Sequence, residues 1–349
     1  MAQNLHPKTH GKIMHRVPKT NTNIYGVSRV SKIPIDKVCV VAFGGERTKM
    51  IRTANWYASL LDRLVAFYDI NDVNIYSVYY NFEKKSTDRK AERTNAFIRA
   101  RSKILNQLGQ EQPVNTNYVR ELYDALITPR IVGPNGKKLP DDAALQNIRN
   151  LILYTHCHGS TTVHAFQDMM ARDMRELGYT TNAARTIMKN LLVVQHAPVS
   201  PLEKSKFNTV SFMSANDTQM NFHNKFSEYV SKHNEDLLPS YFPLGNFFAV
   251  HAFTYQYIDE HQIIGLVPVE DQDMLTPDGA TIMAAERNTI LNGIRAAQTG
   301  AKMPDIRELV APISQKDAIK PDFDTLSQNG EFFILLMRHD LRIERENSR

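Results

Sequence analysis

Residues 150–160 combine the residue types with the clearest capacity for chemistry, because Cys157 lies there between two histidines. A thiolate is a strong nucleophile, and a helix N-terminus or a nearby imidazole lowers the pKa of a thiol toward neutrality. A short apolar run precedes Cys157, and an amphipathic run at residues 161–177 follows it. This order predicts a strand, a sharp turn and a helix, with the thiol presented at the turn as a nucleophile.

The periodicity on each side of Cys157 defines the elements that would position it. The apolar run of residues 151–154 is too short for a helix and is typical of a parallel strand buried on both faces. After the turn, apolar residues recur at steps of three and four, which indicates a helix with one buried face: Val163, Phe166, Met170, Met174 and Leu177. Such a tight reversal strains the residue at the turn and requires a small residue two positions later, where the chain has Gly159.

The segment from Thr155 to Gly159 resembles the Gly-x-Ser-x-Gly nucleophile elbow of the α/β-hydrolase superfamily. Thr155 replaces the first glycine, and Cys157 replaces the usual serine, as in the dienelactone-hydrolase-like branch. The resemblance implies an α/β-hydrolase fold and an acyl hydrolase with a cysteine nucleophile. Ser160 is a weaker candidate, because a motif centred there would put His158 and Thr162 at the two positions that need small residues.

Two other interpretations of Cys157 stay open from the residues alone. Free cysteine is among the most buried residue types, so Cys157 could be a structural residue at a strand end. Alternatively, His156, Cys157 and His158 could bind zinc together with the more distant His196 or His251. Adjacent residues rarely converge on one ion and no second regularly spaced ligand pair is visible, so we predict no metal site.

The resemblance also implies a carboxylate and a histidine later in the chain, in the order nucleophile, acid, base. Asp217, a few residues after the apolar run at 209–213, resembles the acid; it could instead be a helix N-cap. His251, after the apolar run at 247–250, resembles the base that completes a catalytic triad, although it could be a core histidine. His339 near the C-terminus is the alternative base.

Acyl transfer further needs hydrogen-bond donors for the developing oxyanion. The resemblance implies the amide of His158, directly after the nucleophile, as one donor. The turn after an early strand, with Gly44 and Gly45, resembles the second, and the Gly45 amide is its donor. His156 is expected to pack under the site without a catalytic role, and His196 to line or cap the pocket.

Composition limits the class of protein. With 349 residues, 42% hydrophobic and 23% charged, the chain has globular values and no apolar run long enough to cross a bilayer. Two cysteines and an N-terminus without a secretory signal predict a reducing, cytoplasmic setting. The net charge of +5 is concentrated in residues 1–35, which contain six Lys or Arg and no acid. We predict a basic, flexible N-terminal arm there.

The remaining pattern predicts an α/β fold with a mostly parallel central sheet flanked by helices. Strands are predicted at residues 37–46, 73–80, 190–195 and 209–213, and helices at 50–68, 91–108 and 118–126. Residues 36–260 would form the α/β-hydrolase-like core. Residues 261–349, with strands predicted at 262–267 and 332–337 and a helix at 280–297, would form a C-terminal extension or a lid packed on that core.

Three functional classes follow. The first is a hydrolase that cleaves an ester, thioester, lactone or amide of a small-molecule acyl substrate through an acyl-enzyme on Cys157, with no cofactor. The second is a catalytically inactive scaffold of the same fold that acts in binding or assembly. Independently of this choice, the chain could form a homo-oligomer, with residues 261–349 as a candidate surface. The third is an adaptor for nucleic acid or a membrane surface that uses the basic arm. No zinc-finger spacing or aromatic RNA-binding signature accompanies the arm, so we predict no specific nucleic-acid partner.

Overall fold

A computed structural model describes residues 12–18, 25–45, 51–79, 117–198, 205–214, 247–250, 277–301 and 303. The strands are β1 Lys12–Pro18, β2 Tyr25–Val30, β3 Val38–Phe43, β4 Val73–Tyr79, β5 Leu151–His156, β6 Leu192–His196, β7 Asn208–Ser214 and β8 Phe247–Val250. The helices are α1 Ile51–Phe67, α2 Asn117–Leu126, α3 Thr128–Ile131, α4 Asp141–Arg149, α5 His158–Glu176, α6 Thr181–Lys189 and α7 Pro277–Thr299.

The eight strands form a single sheet in the order β2-β1-β4-β3-β5-β6-β7-β8. Every neighbouring pair from β4 across to β8 is parallel, whereas β1 runs antiparallel to both β2 and β4. The prediction of a mostly parallel central sheet flanked by helices is therefore confirmed. In such sheets ligands bind beyond the carboxyl ends of the strands. The turn between β5 and α5 lies at this edge of the sheet.

Helices cover both faces of the sheet, so the parallel strands are buried on two sides. All six residues of β3 and all six of β5 are buried. Ile152 and Tyr154 pack with α1 and α7 on one face, and Leu151 and Leu153 pack with α2, α5 and α6 on the other. This two-sided burial explains why β5 is a continuous apolar run rather than an alternating one.

The N-terminal segment differs from the prediction of a flexible arm where it is described. β1 and β2 lie within residues 1–35 and pair with each other and, through β1, with β4. Ile13 in β1 is buried, while β2 occupies the edge of the sheet. The excess of basic residues in this segment is therefore compatible with strands of the sheet. The proposed division into arm, core and extension stays a prediction.

The helix predicted at residues 280–297 is present as α7 and packs directly on the sheet. Ile290, Leu291 and Ile294 are buried against the same face as α1. The short helices α3, α4 and α6 were not predicted, whereas the predicted helix at 91–108 and the strands at 262–267 and 332–337 lie outside the described residues. Within the ranges given above, none of the helices combines the length and apolar character that crossing a bilayer needs.

Candidate active site at the turn between β5 and α5

Cys157 lies between the last residue of β5 and the first residue of α5, with backbone angles φ +51° and ψ −124°. L-residues other than glycine rarely adopt this conformation, because Cβ crowds the backbone, and holding it costs of order 1–3 kcal/mol. The sequence predicts a strained residue at this turn, and the backbone has one. Such strain persists only where the surrounding packing enforces it, and it is typical of residues that present a side chain for chemistry.

Gly159 allows α5 to approach the sheet closely enough to form this turn. A Cβ placed on Gly159 would collide with the carbonyl oxygen of Phe43 and lie 2.8 Å from the Phe43 carbonyl carbon. Phe43 is the last residue of β3, the strand next to β5. The requirement for a small residue two positions after Cys157 therefore has a direct cause, which is the backbone of the neighbouring strand.

Hydrogen bonds of the main chain fix the turn from both sides. The amide of Cys157 donates to the carbonyl of His196 at the end of β6, at 3.2 Å. The Ser160 amide and the Ser160 hydroxyl donate to the carbonyl of Cys157 at 3.1 and 2.6 Å. Ser160 is completely buried, and its hydroxyl is bonded within the turn itself.

The Cys157 side chain is 5% exposed and lies directly against Gly45. A Cβ placed on Gly45 would lie 2.9 Å from the Cys157 Cβ and 3.4 Å from Sγ. The main chain after β3 therefore approaches the thiol at a position where a side chain would not fit. His158, the other predicted oxyanion donor, is the first residue of α5, so its amide lies at the helix N-terminus.

A chain of buried polar side chains lies beneath the turn, on the face of the sheet covered by α1 and α7. The Gly45 amide donates to the Tyr57 hydroxyl at 3.5 Å, and that hydroxyl is 2.8 Å from Nδ1 of His156. The imidazole of His156 stacks on that of His196 with ring centroids 5.9 Å apart.

At the far end of this chain, His196 Nδ1 is 3.1 Å from the Glu286 carboxylate, and the Tyr154 hydroxyl donates to the other carboxylate oxygen at 3.0 Å. Burial, and then the adjacent Glu286 charge, raises the pKa of Tyr154 well above its usual range, so this phenol stays protonated and donates. Glu286 is completely buried in α7.

Sequence reasoning placed His156 under the site and left His196 as a lining residue, but it missed Tyr57, Tyr154 and Glu286. One signal was available for Glu286. It lies four residues before Ile290 and eight before Ile294, on the apolar face of α7, and an acid on an apolar helical face needs a buried partner. The sequence does not indicate which residues are the partners, because Tyr154 and His196 come from two strands far from α7 in the chain.

The predicted acid Asp217, the predicted base His251 and the alternative base His339 lie outside the described residues. Their roles stay predictions. Two described strands lead toward the first two: β7 ends at Ser214 and β8 ends at Val250, the residue before His251. No group of three or more His, Cys, Asp or Glu side chains that could hold a metal ion occurs in the part of the chain that the structure covers.

The strained turn leads to a stability prediction that separates Cys157→Gly from Cys157→Ala. Both variants lose the sulfur, but only glycine adopts φ +51° without a Cβ contact. We expect Cys157→Gly to unfold at a higher temperature than Cys157→Ala, by the equivalent of about 1 kcal/mol. Thermal unfolding followed by circular dichroism measures the difference.

The control is Ala165→Gly in the middle of α5, where glycine should lower stability by about 1 kcal/mol. If Cys157→Gly is less stable than Cys157→Ala, as is usual for glycine, the turn stores no strain.

No family model matches the chain, and no curated protein matches it. Among solved structures, the chain is similar to esterase 2 of Thermogutta terrifontis, phosphorylated by paraoxon, with 10% sequence identity. The match covers 86% of this chain and 97% of the esterase, with a TM-score of 0.28, a value too low to transfer any property from one protein to the other.

Proposed function

We propose that this protein is an acyl hydrolase that cleaves an ester, thioester, lactone or amide through a covalent intermediate on Cys157. The observation that carries the proposal is the backbone of Cys157, held at φ +51° and ψ −124° between a parallel strand and the helix that follows it. A merely structural cysteine gains nothing from this strained conformation, whereas a nucleophile gains a fixed direction of attack.

In the proposed reaction, the Cys157 thiolate attacks the carbonyl carbon of the substrate and forms a C–S bond. The carbonyl oxygen becomes an oxyanion, which accepts hydrogen bonds from the amides of Gly45 and His158. The bond to the leaving alcohol, thiol or amine then breaks, and the protonated base donates its proton to that group. Water, deprotonated by the same base, attacks the acyl-enzyme and releases the carboxylic acid and Cys157.

Two features of the described residues support a reactive thiol at this position. Cys157 occupies the N-cap position of α5, next to the main-chain amides that begin the helix. Gly45 places main chain rather than a side chain directly against Cys157, as the second oxyanion donor of this proposal requires.

Asp217 as the acid and His251 as the base complete the proposed triad, with His339 as the alternative base. Because β7 and β8 run parallel to β5, Ser214 and Val250 end at the same edge of the sheet as Cys157. β8 is three strands away from β5, or about 14 Å at the usual strand spacing. The proposal therefore needs the chain after Val250 to turn back along this edge toward Cys157.

The experiment is trapping of the acyl-enzyme with p-nitrophenyl acetate, followed by intact mass measurement and peptide mapping. We expect one acetyl group per chain on Cys157, with a burst of p-nitrophenol equal to the enzyme concentration. Cys39 is the internal control, because it is completely buried and burial raises the pKa of its thiol to about 11. At pH 8 it is a neutral thiol and should stay unmodified.

Acetylation of Cys157 and Cys39 at equal rates, or of neither, would contradict the proposal. A Cys157 thiol that reacts no faster than free cysteine would favour the inactive scaffold of the same fold.

A further inference from the structure

The buried polar chain beneath Cys157 connects the Gly45 turn to a carboxylate on a distant helix. Its members come from four separate elements: Tyr57 from α1, Tyr154 and His156 from β5, His196 from β6 and Glu286 from α7. Burying this many polar groups is costly unless each is bonded, and unbonded groups would cost several kcal/mol. Apolar side chains of the same volume would stabilise the fold at least as well, so the network indicates a role beyond stability.

The carboxylate of Glu286 lies at one end of this network. One of its oxygens accepts a hydrogen bond from the Tyr154 hydroxyl, and the other lies 3.1 Å from Nδ1 of His196. The orientation of His196 is thereby fixed, and its ring provides the flat surface on which His156 stacks, at an interplanar angle of 29°. Glu286 thus holds both imidazoles in place.

The other end of the chain is Tyr57. Its oxygen accepts the Gly45 amide hydrogen and lies 2.8 Å from Nδ1 of His156, with which it forms a second hydrogen bond. The Gly45 contact, at 3.5 Å, is longer than the usual 2.9–3.0 Å of an N–H···O bond. Tyr57 therefore fixes the orientation of the Gly44–Gly45 peptide, and with it the main chain that lies against Cys157.

We propose that Tyr57 and Glu286 are positioning residues that hold the Gly45 amide beside Cys157, acting through His156 and His196. The inference rests on the proposed function for its catalytic consequence, but the coupling itself exists independently of activity. A preorganised donor is worth most when its supporting groups are themselves locked by packing and hydrogen bonds. The complete burial of Glu286 and the stacked rings supply that lock.

The sequence offers a direct probe, because Gly44–Gly45 is its only Gly-Gly peptide bond. In protein labelled with ¹³C-carbonyl,¹⁵N-glycine and otherwise deuterated, an HNCO spectrum therefore contains one peak, that of the Gly45 amide. We expect this peak to move in Tyr57→Phe, which removes the acceptor. We also expect it to move in Glu286→Gln, which keeps the shape but puts a donor against His196.

Tyr179→Phe is the matched control. Tyr179 is a buried tyrosine on the other face of the sheet, and its hydroxyl donates to the carbonyls of Ile131 and Leu139. This variant should lose hydrogen bonds and stability as Tyr57→Phe does, yet leave the Gly45 peak in place. If Glu286→Gln does not fold, Tyr154→Phe removes one donor from the carboxylate and replaces it in the test.

A Gly45 peak that stays in place in both network variants overturns the proposal. A peak that moves in Tyr57→Phe alone overturns the part assigned to Glu286. A Gly45 peak that moves equally in Tyr179→Phe overturns the whole proposal, because the shift would then reflect a general loss of stability.

The kinetic readout tests the catalytic consequence. We expect Tyr57→Phe and Glu286→Gln to lower kcat by roughly 10- to 100-fold with little change in KM, because the amide acts on the transition state. If wild-type protein forms no acyl-enzyme while the peak still moves, the proposed function fails and the positioning network stands. If the acyl-enzyme forms while the Gly45 peak stays in place, the proposed function stands and the positioning network fails.

Discussion

Cys157→Ala is expected to abolish hydrolysis of activated esters, with kcat reduced at least about a thousandfold and no burst phase. The reason is that alanine removes the atom that forms the covalent bond to the substrate. The oxyanion donors and the binding surface stay, so a small residual rate above the uncatalysed reaction should survive. Steady-state and burst kinetics with p-nitrophenyl acetate measure the loss, and binding of a non-hydrolysable analogue should be nearly unchanged.

Cys39→Ala is the matched control for this prediction, because it removes the second thiol of the protein from a fully buried strand position. It should cost stability through the cavity it leaves, but it should leave kcat within about twofold once the protein is folded. Cys157→Ala protein that retains more than a tenth of wild-type kcat would show that the reaction does not pass through Cys157.

Gly159→Ala is expected to destabilise the protein by about 2–4 kcal/mol, although helix propensity alone favours alanine by about 1 kcal/mol. Gly159 is the second residue of α5, where the added methyl group would meet the carbonyl oxygen of Phe43. The methyl group is fixed to the helix backbone and the carbonyl belongs to the strand backbone, so neither can rotate away. The helix α5 and the strand β3 must therefore separate, and the turn at Cys157 must change. Urea unfolding gives the loss of free energy, and the labelling rate of Cys157 reports on the turn.

Gly293→Ala in α7 provides the comparison, since Gly293 is also a helical glycine with no free space around it. There the added methyl group would meet Cδ2 of Leu192, the end of a side chain that can rotate away. We expect a smaller loss, below about 1.5 kcal/mol, and unchanged labelling of Cys157. If Gly159→Ala is as stable as the wild type, the close contact with β3 is not what the turn requires.

The features that the sequence predicted are those that neighbouring residues determine. The apolar run of β5, the repeat of three and four in α5, and the small residue at Gly159 are all local, and together they define a strand, a tight turn and a helix around Cys157. The mostly parallel sheet followed from the alternation of strands and helices along the chain. The basic composition of residues 1–35 did not indicate β1 and β2, because their pairing with β4 depends on residues elsewhere in the chain.

The buried chain from Gly45 to Glu286 was decided only by the tertiary structure. Tyr57 and His156 are 99 positions apart in sequence, and His196 and Glu286 are 90 apart. Sheet register aligns His156 with His196 on adjacent strands, and the packing of α1 and α7 on the same face brings Tyr57 and Glu286 to them. No local pattern encodes a strand register or the rotation of a helix against a sheet, because both depend on the packing of the whole core. The sequence by itself therefore determined where a nucleophile could be presented, and the fold decided which side chains support it.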